Sequence, residues 1–429
     1  MPSSTGAIRT IGSNPATAPI TLHPGDALST GRRVLYIIVL GALTALGPFT
    51  IDLYLPAFPQ LEDDFHTTSA AIQLTLTGTM LGFAVGQLLV GPLSDKIGRR
   101  VPLVAVTSLH VLSSIAAALA PTLLLLGVTR VIMGFGAAAG GVVAMAIVRD
   151  LFGGKRLVIM LSRLALVSGV APVVAPIIGS ALLTVVSWQG IFVALAGYGL
   201  VMLMAVIFAV PETLPRERRN DRGSTTMLER YRMVFSDRVY VGMLIIGAMT
   251  FSGLFSYLSA SPFLFQITHG LDPQQYGLLF AMNSIGMVIG VQVSSRLAAR
   301  FGPQWVLAFS TGLQIIAATM IITLDQLGTG LWGAVVPLFF FMLSCGFTFP
   351  SVQVLALDRH GKAAGTAASL LGACNFGVAA IISPLVGWLA RDAGITATTM
   401  AAVMVACSTI GTLALWFIVR PRTVGMLNP

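Results

Sequence analysis

The sequence predicts an all-α membrane protein whose helices cross a bilayer in two sets of six. Three observations predict it. Hydrophobic residues make up 55% of the chain and charged residues only 10%. Apolar runs recur at about the 20-residue length that spans a bilayer. The cations gather in alternate loops. A soluble domain carries roughly a quarter charged residues, and a chain of 429 residues could not hide this much apolar surface in one core. With a mean hydropathy of +0.88, the chain needs lipid as its apolar solvent.

Residues Met1 to Gly31 are polar, rich in Pro, Ser, Thr and Gly, and lack a secretory cleavage pattern. They are expected to form a disordered tail (1–31). The spans then follow in order. The first runs from Val34 to Phe58, the second from Ala70 to Leu93, the third from Val101 to Ala120. The fourth covers Leu123 to Val148, the fifth Leu157 to Val185 and the sixth Ile191 to Val210, closing a first bundle over 32–210. An arginine-rich linker, 211–238, separates the halves. The second bundle, 239–420, holds spans Val239 to Ile267, Gln274 to Leu297, Gln304 to Leu324, Leu331 to Leu357, Ala363 to Ala390 and Ile395 to Val419. A short tail, 421–429, ends the chain. Six spans, a linker and six more are the coarse signature of a duplicated transporter.

Arg32, Arg33, Lys96, Arg99, Arg100, Lys155, Arg156, Arg296, Arg300, Arg359, Lys362, Arg420 and Arg422 all fall at the same side of the predicted bilayer. The loops of the other parity are almost free of Lys and Arg, with Arg391 the main exception. The positive-inside rule places both termini in the cytoplasm of a multi-pass plasma-membrane protein. The net charge of +9 is then a topology signal, and nucleic acid is not an expected partner. Cys345, Cys374 and Cys407 lie far apart in apolar runs and read as packing residues rather than a disulfide framework.

Small residues recur at helical spacing, as in Gly78-x-x-x-Gly82-x-x-x-Gly86, which lets helix backbones approach closely. Two residues are costly at the depth where they fall. Asp52 is the one carboxylate well inside the predicted spans, and its charged form costs about 3 kcal/mol at mid-bilayer. That makes it a group whose protonation a carrier could use, although an interfacial carboxylate that stays wet is the rival reading. Arg130, in the fourth span, faces a cavity, meets a partner or snorkels to the outer surface. Arg163 sits near an inner helix end, where snorkelling is expected.

Several stretches carry a family resemblance. Gly91-Pro92-Leu93-Ser94-Asp95-Lys96-Ile97-Gly98-Arg99-Arg100, read as the joint between the second and third spans, resembles motif A of the major facilitator superfamily. The resemblance implies a cytoplasmic gate of Gly91, Asp95, Gly98 and Arg99, with Asp150 as a third charged partner. The corresponding turn in the second half has Ala299 in place of the acid. Arg130 to Ala137 resembles motif B. Gly169-Val170-Ala171-Pro172-Val173-Val174-Ala175-Pro176-Ile177-Ile178-Gly179 is similar to the antiporter motif C, which implies Gly169, Pro172, Pro176 and Gly179 as an antiporter helix. Its doubled Ala-Pro, and Ile51-Asp52-Leu53-Tyr54-Leu55-Pro56, resemble the bicyclomycin and chloramphenicol resistance exporters. Trp188 to Phe192 and Pro211-Glu212-Thr213-Leu214 match subfamily positions as well, with Gln189 departing from the usual basic residue.

The resemblance implies the major facilitator fold and a proton-coupled antiporter. Asp52 and Arg130 would serve proton coupling. Tyr54, Gln73, Phe251, Phe255, Tyr257, Asn283 and Asn375 would line a substrate cavity for a small amphipathic drug or antibiotic, since aromatics with a few polar groups suit such ligands. A metabolite exporter or nutrient symporter of the same superfamily is the alternative. The five scattered histidines show no metal-ligand spacing, and no Gly-Lys-Ser/Thr phosphate loop or nucleophile elbow occurs. No cofactor and no enzyme chemistry are therefore expected. Protons, drug and bilayer are the expected partners, and a monomer suffices.

Overall fold

A computed structural model describes residues 25, 28–219, 227–358, 360, 364–390 and 394–423. Most of the N-terminal tail, Arg222, Arg359, Lys362, Arg391 and positions 424–429 lie outside the described residues. Among the described residues, twelve helices are long and apolar enough to cross a membrane. They are α1 (Thr30–Asp52), α2 (Ser69–Ile97), α3 (Arg100–Ala118), α4 (Leu123–Leu151), α5 (Gly154–Leu182) and α6 (Trp188–Ala209) in the first half. In the second half they are α7 (Arg238–Pro262), α8 (Pro273–Phe301), α9 (Pro303–Gln326), α10 (Leu331–Leu357), α11 (Ala364–Ile382) and α12 (Ala397–Leu413). Helices α7 and α12 run on as π-helical turns to Thr268 and Val419. Between the halves lie two short helices, Arg216–Arg219 and Met227–Phe235.

Helix starts follow ordinary capping chemistry. Thr68, Thr122 and Asp237 accept from first-turn N–H groups, and Asp272 with Gln275 forms a full capping box ahead of α8. Two boundaries differ from the sequence expectation. The first span does include Phe58, running from Thr30 to Asp64, but it is not one continuous helix: α1 stops at Asp52, and a helical turn, Leu55–Ala57, and a separate helix, Phe58–Asp64, follow. Pro56 has no N–H to give the Asp52 carbonyl, so the ladder fails there. Conversely, the stretch from Gly91 is not a joint: α2 continues through Pro92 to Ile97, and only Gly98, at φ +104°, turns the chain. A left-handed backbone of that kind suits glycine alone.

The two halves repeat one packing scheme. Helix pairs α2–α4, α3–α6 and α1–α5 of the first half recur as α8–α10, α9–α12 and α7–α11 of the second. Glycine sets the closest crossings. A Cβ at Gly82 would collide with the Val131 carbonyl, and one at Gly86 would come within 2.8 Å of the Phe135 carbonyl. The counterpart crossing brings Gly290 of α8 against Gly346 of α10. Without water in the hydrocarbon, such van der Waals contact between backbones is what holds helices together.

The halves touch through α2–α11 and α5–α8. The end of the bundle holding Arg99, Arg238, Arg300 and Arg420 is here termed the basic end, and its opposite the far end. At the far end Gln266 Nε2 donates to the Pro56 carbonyl at 3.1 Å, and Gly277 of α8 abuts Ser180 and the Pro176 carbonyl of α5. Gly387 lies against Ala70 and Gln73. Toward the basic end α5 and α8 become open-faced: Arg163, Leu166, Val170, Ile289, Val291 and Gln292 are exposed. The halves thus meet at the far end, while α5 and α8 present exposed residues toward the basic end.

Replacing Gly82 by Ala is expected to cost about 1–3 kcal/mol, as overpacking against backbone does. A lower thermal unfolding midpoint in detergent checks this. Gly197→Ala, where an added Cβ meets nothing within 4 Å, should match wild type in the same measurement.

Candidate functional site

The site begins at the broken end of α1. With the helix ended at Asp52, the Thr50 carbonyl has no backbone donor four residues on. Arg130 Nη1 of α4 takes that place, donating to it at 2.7 Å. The Arg130 side chain is fully buried, so it does not snorkel. Its guanidinium lies 4.4 Å from the Tyr54 ring centroid and 5.8 Å from that of Phe192, in cation–π geometry. Around it, the Thr50 hydroxyl is 3.0 Å from His110 Nε2, and the Tyr54 hydroxyl is 2.6 Å from Thr75 Oγ1. No acid pairs with Arg130 among the described residues, and its Nε and Nη2 lack partners there.

Asp52 sits two residues from this anchor, 4% exposed, with Oδ1 lacking a hydrogen-bond partner among the described residues. It is within electrostatic reach of two phenols of the second half, Tyr257 and Tyr276. Asn283 Nδ2 donates to the Tyr257 hydroxyl at 3.3 Å, and Ser261 is 3.0 Å from the Tyr276 hydroxyl. Helix α5 closes the back of this region: Gly179 packs against the Leu53 carbonyl, and Pro172 and Pro176 both lie within the helix. Gly169 faces open space.

Closer to the basic end lies an aromatic wall. Phe251 contacts Phe255 (4.7 Å), Phe376 (4.7 Å) and Phe349 (5.9 Å), and Phe83 of the first half stacks on Phe376 at 4.7 Å. Asn375 neighbours this wall with an unpartnered Oδ1, and buried Gln73 leaves both amide atoms unpartnered among the described residues. Tyr54 stands apart from these residues, packed inside the first half beneath Arg130.

At the basic end a latch joins α2, α4 and the segment after α6. Arg99, 2% exposed, is bonded through Nη1 to Asp95 at 2.6 Å and through Nε to Asp150 at 2.8 Å. The Glu212 carboxylate accepts from the backbone N–H groups of Arg99 (2.9 Å), Leu214 (2.9 Å) and Arg100 (3.3 Å). A Cβ at Gly98 would collide with Glu212, so the turn and the acid fit only with glycine there. Gly91 packs within α2 near Val142.

Residues 39–384 match the Major Facilitator Superfamily. The chain belongs to that superfamily. It is 34% identical over 396 residues, 92% of this chain and 98% of the other, to an uncharacterized MFS-type transporter, YdgK, of Bacillus subtilis. A bicyclomycin resistance protein homolog of Haemophilus influenzae is 30% identical, covering 90% of this chain and 96% of its own. A multidrug resistance protein, MdtL, of Escherichia coli O157:H7 is 27% identical over 91% of this chain and 97% of its own. A bacterial homolog of the human lysosomal transporter Spinster, solved inward-facing and unoccupied, shares the fold. Its TM-score is 0.69 at 15% identity, covering 92% of this chain and 98% of that one. The chain is thus a multi-pass integral membrane transporter, not an enzyme.

Sequence reasoning passed over several members of this site. His110 and Thr50 show no motif; they meet only because α1 and α3 both border α4. Phe83 and Phe376 come from different halves, and Phe376 was adjacent to Asn375 in a run that reads as packing. Glu212 lay in a recognised segment, yet its partners arrive from 112 and 113 residues away.

Burial pushes the Glu212 carboxyl up, but the N–H groups of Arg99, Leu214 and Arg100 and the Arg219 guanidinium outweigh it and hold the group below the ordinary 4.5. A carboxyl depressed in the folded state stabilises above its unfolded value and loses that contribution as pH falls through its folded value. Wild type should therefore lose thermal stability more steeply than Glu212→Gln as pH is lowered from 7 to below 4.5. Parallel midpoint profiles in detergent would contradict the assignment.

Proposed function

We propose that the chain is a proton-driven exporter of small amphipathic drugs or antibiotics, working by alternating access in the plasma membrane. One observation carries the reading: buried Asp52, whose Oδ1 has no hydrogen-bond partner among the described residues, within electrostatic reach of Tyr257 and Tyr276 of the second half. The relatives named for bicyclomycin and multidrug resistance support it. The positive-inside rule assigns the basic end to the cytoplasm. The exposed residues of α5 and α8 then lie toward the cytoplasm, where drug enters.

A drug of mixed character meets the wall of Phe83, Phe251, Phe255 and Phe376, which offers ring faces to its apolar part. Gln73, Asn283 and Asn375 offer polar atoms that orient it. Occupation of this region by drug and ionised Asp52 favours closure at the basic end, beside the Arg99, Asp95 and Asp150 cluster that braces the first half there. Once the far end opens, a proton from outside neutralises Asp52, weakens its hold on the drug and permits return. Neutralising the buried Asp52 carboxyl removes a large electrostatic cost of passing through the closed state. Arg130 holds the end of α1 so that Asp52 keeps its place through the cycle. The paired prolines of α5 leave its backbone free to bend as the seam opens.

The test is export of a fluorescent drug into everted vesicles with a pH-gradient probe present. Wild type should dissipate the gradient as drug moves, and Asp52→Asn should lose coupled export by about 100-fold or more, as loss of an essential proton group does. An Asp52→Asn protein that exports as fast as wild type would sink the coupling role. Drug uptake driven by protons moving with it would favour the symporter alternative. A panel of antibiotics against a pump-deficient host identifies the substrate class.

A further inference from the structure

A cavity of about 350 Å³ lies away from the central site, at the basic end, between the first turns of α1 and the last turn of α6. Arg32, Leu35 and Tyr36 line it from α1, Arg100 from α3, and Ile207 to Pro211 from α6 and its exit. Its chemistry is one-sided. Among the described residues, two guanidiniums border it and no carboxylate does. The next residue, Glu212, is already committed to the N–H groups of Arg99, Arg100 and Leu214. Arg32 is exposed, and its guanidinium has no partner among the described residues. Arg100 spends one Nη2 hydrogen on the Ile207 carbonyl at 2.6 Å and keeps its other donors free.

Two further features set this apart from a loose basic surface. Tyr36 is 6% exposed, yet its hydroxyl, in a residue lining the cavity, has no hydrogen-bond partner among the described residues. The rim is strongly apolar, with Leu35 44% and Phe208 79% exposed, and Ile38, one turn further along α1, is 61% exposed. Apolar rim residues of that exposure belong in hydrocarbon, while the arginines sit at helix ends where the head groups lie.

We infer that this cavity is a binding site for the phosphate head group of an anionic phospholipid, with acyl chains lying along Leu35, Ile38 and Phe208. The phosphate oxygens accept from Arg32, from the free donors of Arg100 and from the Tyr36 hydroxyl; a guanidinium fork fits a phosphate better than a point charge does. The site adjoins the latch through Arg100, whose backbone N–H is held by Glu212. Anionic lipid here therefore stiffens the joint between α6 and the turn after α2.

Native mass spectrometry of the purified protein titrated with phosphatidylglycerol or phosphatidylcholine tests this. Wild type should retain one phosphatidylglycerol in preference to phosphatidylcholine. The Arg32→Gln, Arg100→Gln double variant should weaken that retention by about 30-fold, and Arg32→Gln alone by about fivefold. Tyr36→Phe should produce a smaller loss. Arg163→Gln, an exposed arginine on α5, should bind as wild type does. Equal retention in wild type and Arg32→Gln would overturn the site, and it can be read even if the double variant does not fold. Displacement of phosphatidylglycerol by millimolar inorganic phosphate would overturn the lipid assignment in favour of a free-phosphate site.

Discussion

Arg130 donates to the Thr50 carbonyl across 2.7 Å, and the arrangement of the first half follows from that bond. Helix α1 ends at Asp52 among buried residues, which strips the Thr50 carbonyl of its helical donor. Hydrocarbon supplies no replacement, and an unsatisfied carbonyl there costs several kcal/mol. Only a long, donor-rich side chain from a neighbouring helix can reach the gap. Arg130 does so, and it is itself made tolerable by the faces of Tyr54 and Phe192. The broken end is therefore held in one place, and Asp52, two residues on, is held with it at the seam.

The same solvent constraint explains the seams. Helices in lipid gain nothing from burying apolar area against one another, so close backbone contact decides which pairs form. Inside each half glycine makes the closest crossings: Gly82 on the Val131 carbonyl, Gly290 on Gly346. Between the halves a smaller set repeats the device, with Gly277 against Ser180 and Gly387 against Ala70. A seam of small residues closes tightly yet has few side-chain hydrogen bonds to break. The latch is built otherwise, from ion pairs and N–H donors around Arg99 and Glu212.

Much of this was legible in the sequence because the bilayer imposes a length and a solvent. Each span declared itself by twenty or so apolar residues, and Arg130 and Asp52 stood out as costly exceptions. The Asp95, Arg99 and Asp150 cluster was implied by family resemblance and is assembled in the structure by α2 and α4. What was not legible depends on which helices are neighbours. Nothing local to His110 places it on Thr50, and nothing local to Phe83 places it on Phe376. The break at Asp52 inside the first span is not legible either, because apolar composition runs on past Asp52 while the hydrogen-bond ladder does not. Tyr54 was grouped with cavity residues by its position in a motif, whereas its ring and hydroxyl are engaged within the first half.

The two halves close at the far end through contact at Gly277. Spin labels at Val185 and Leu278, in a protein whose native cysteines have been replaced, report that end; a pair at Val158 and Arg296 reports the other. Gly277→Leu forces a side chain onto Ser180 and the Pro176 carbonyl. The account predicts a longer Val185–Leu278 distance and a shorter Val158–Arg296 distance in that variant. Distance distributions unchanged from those of wild type at both ends would contradict it.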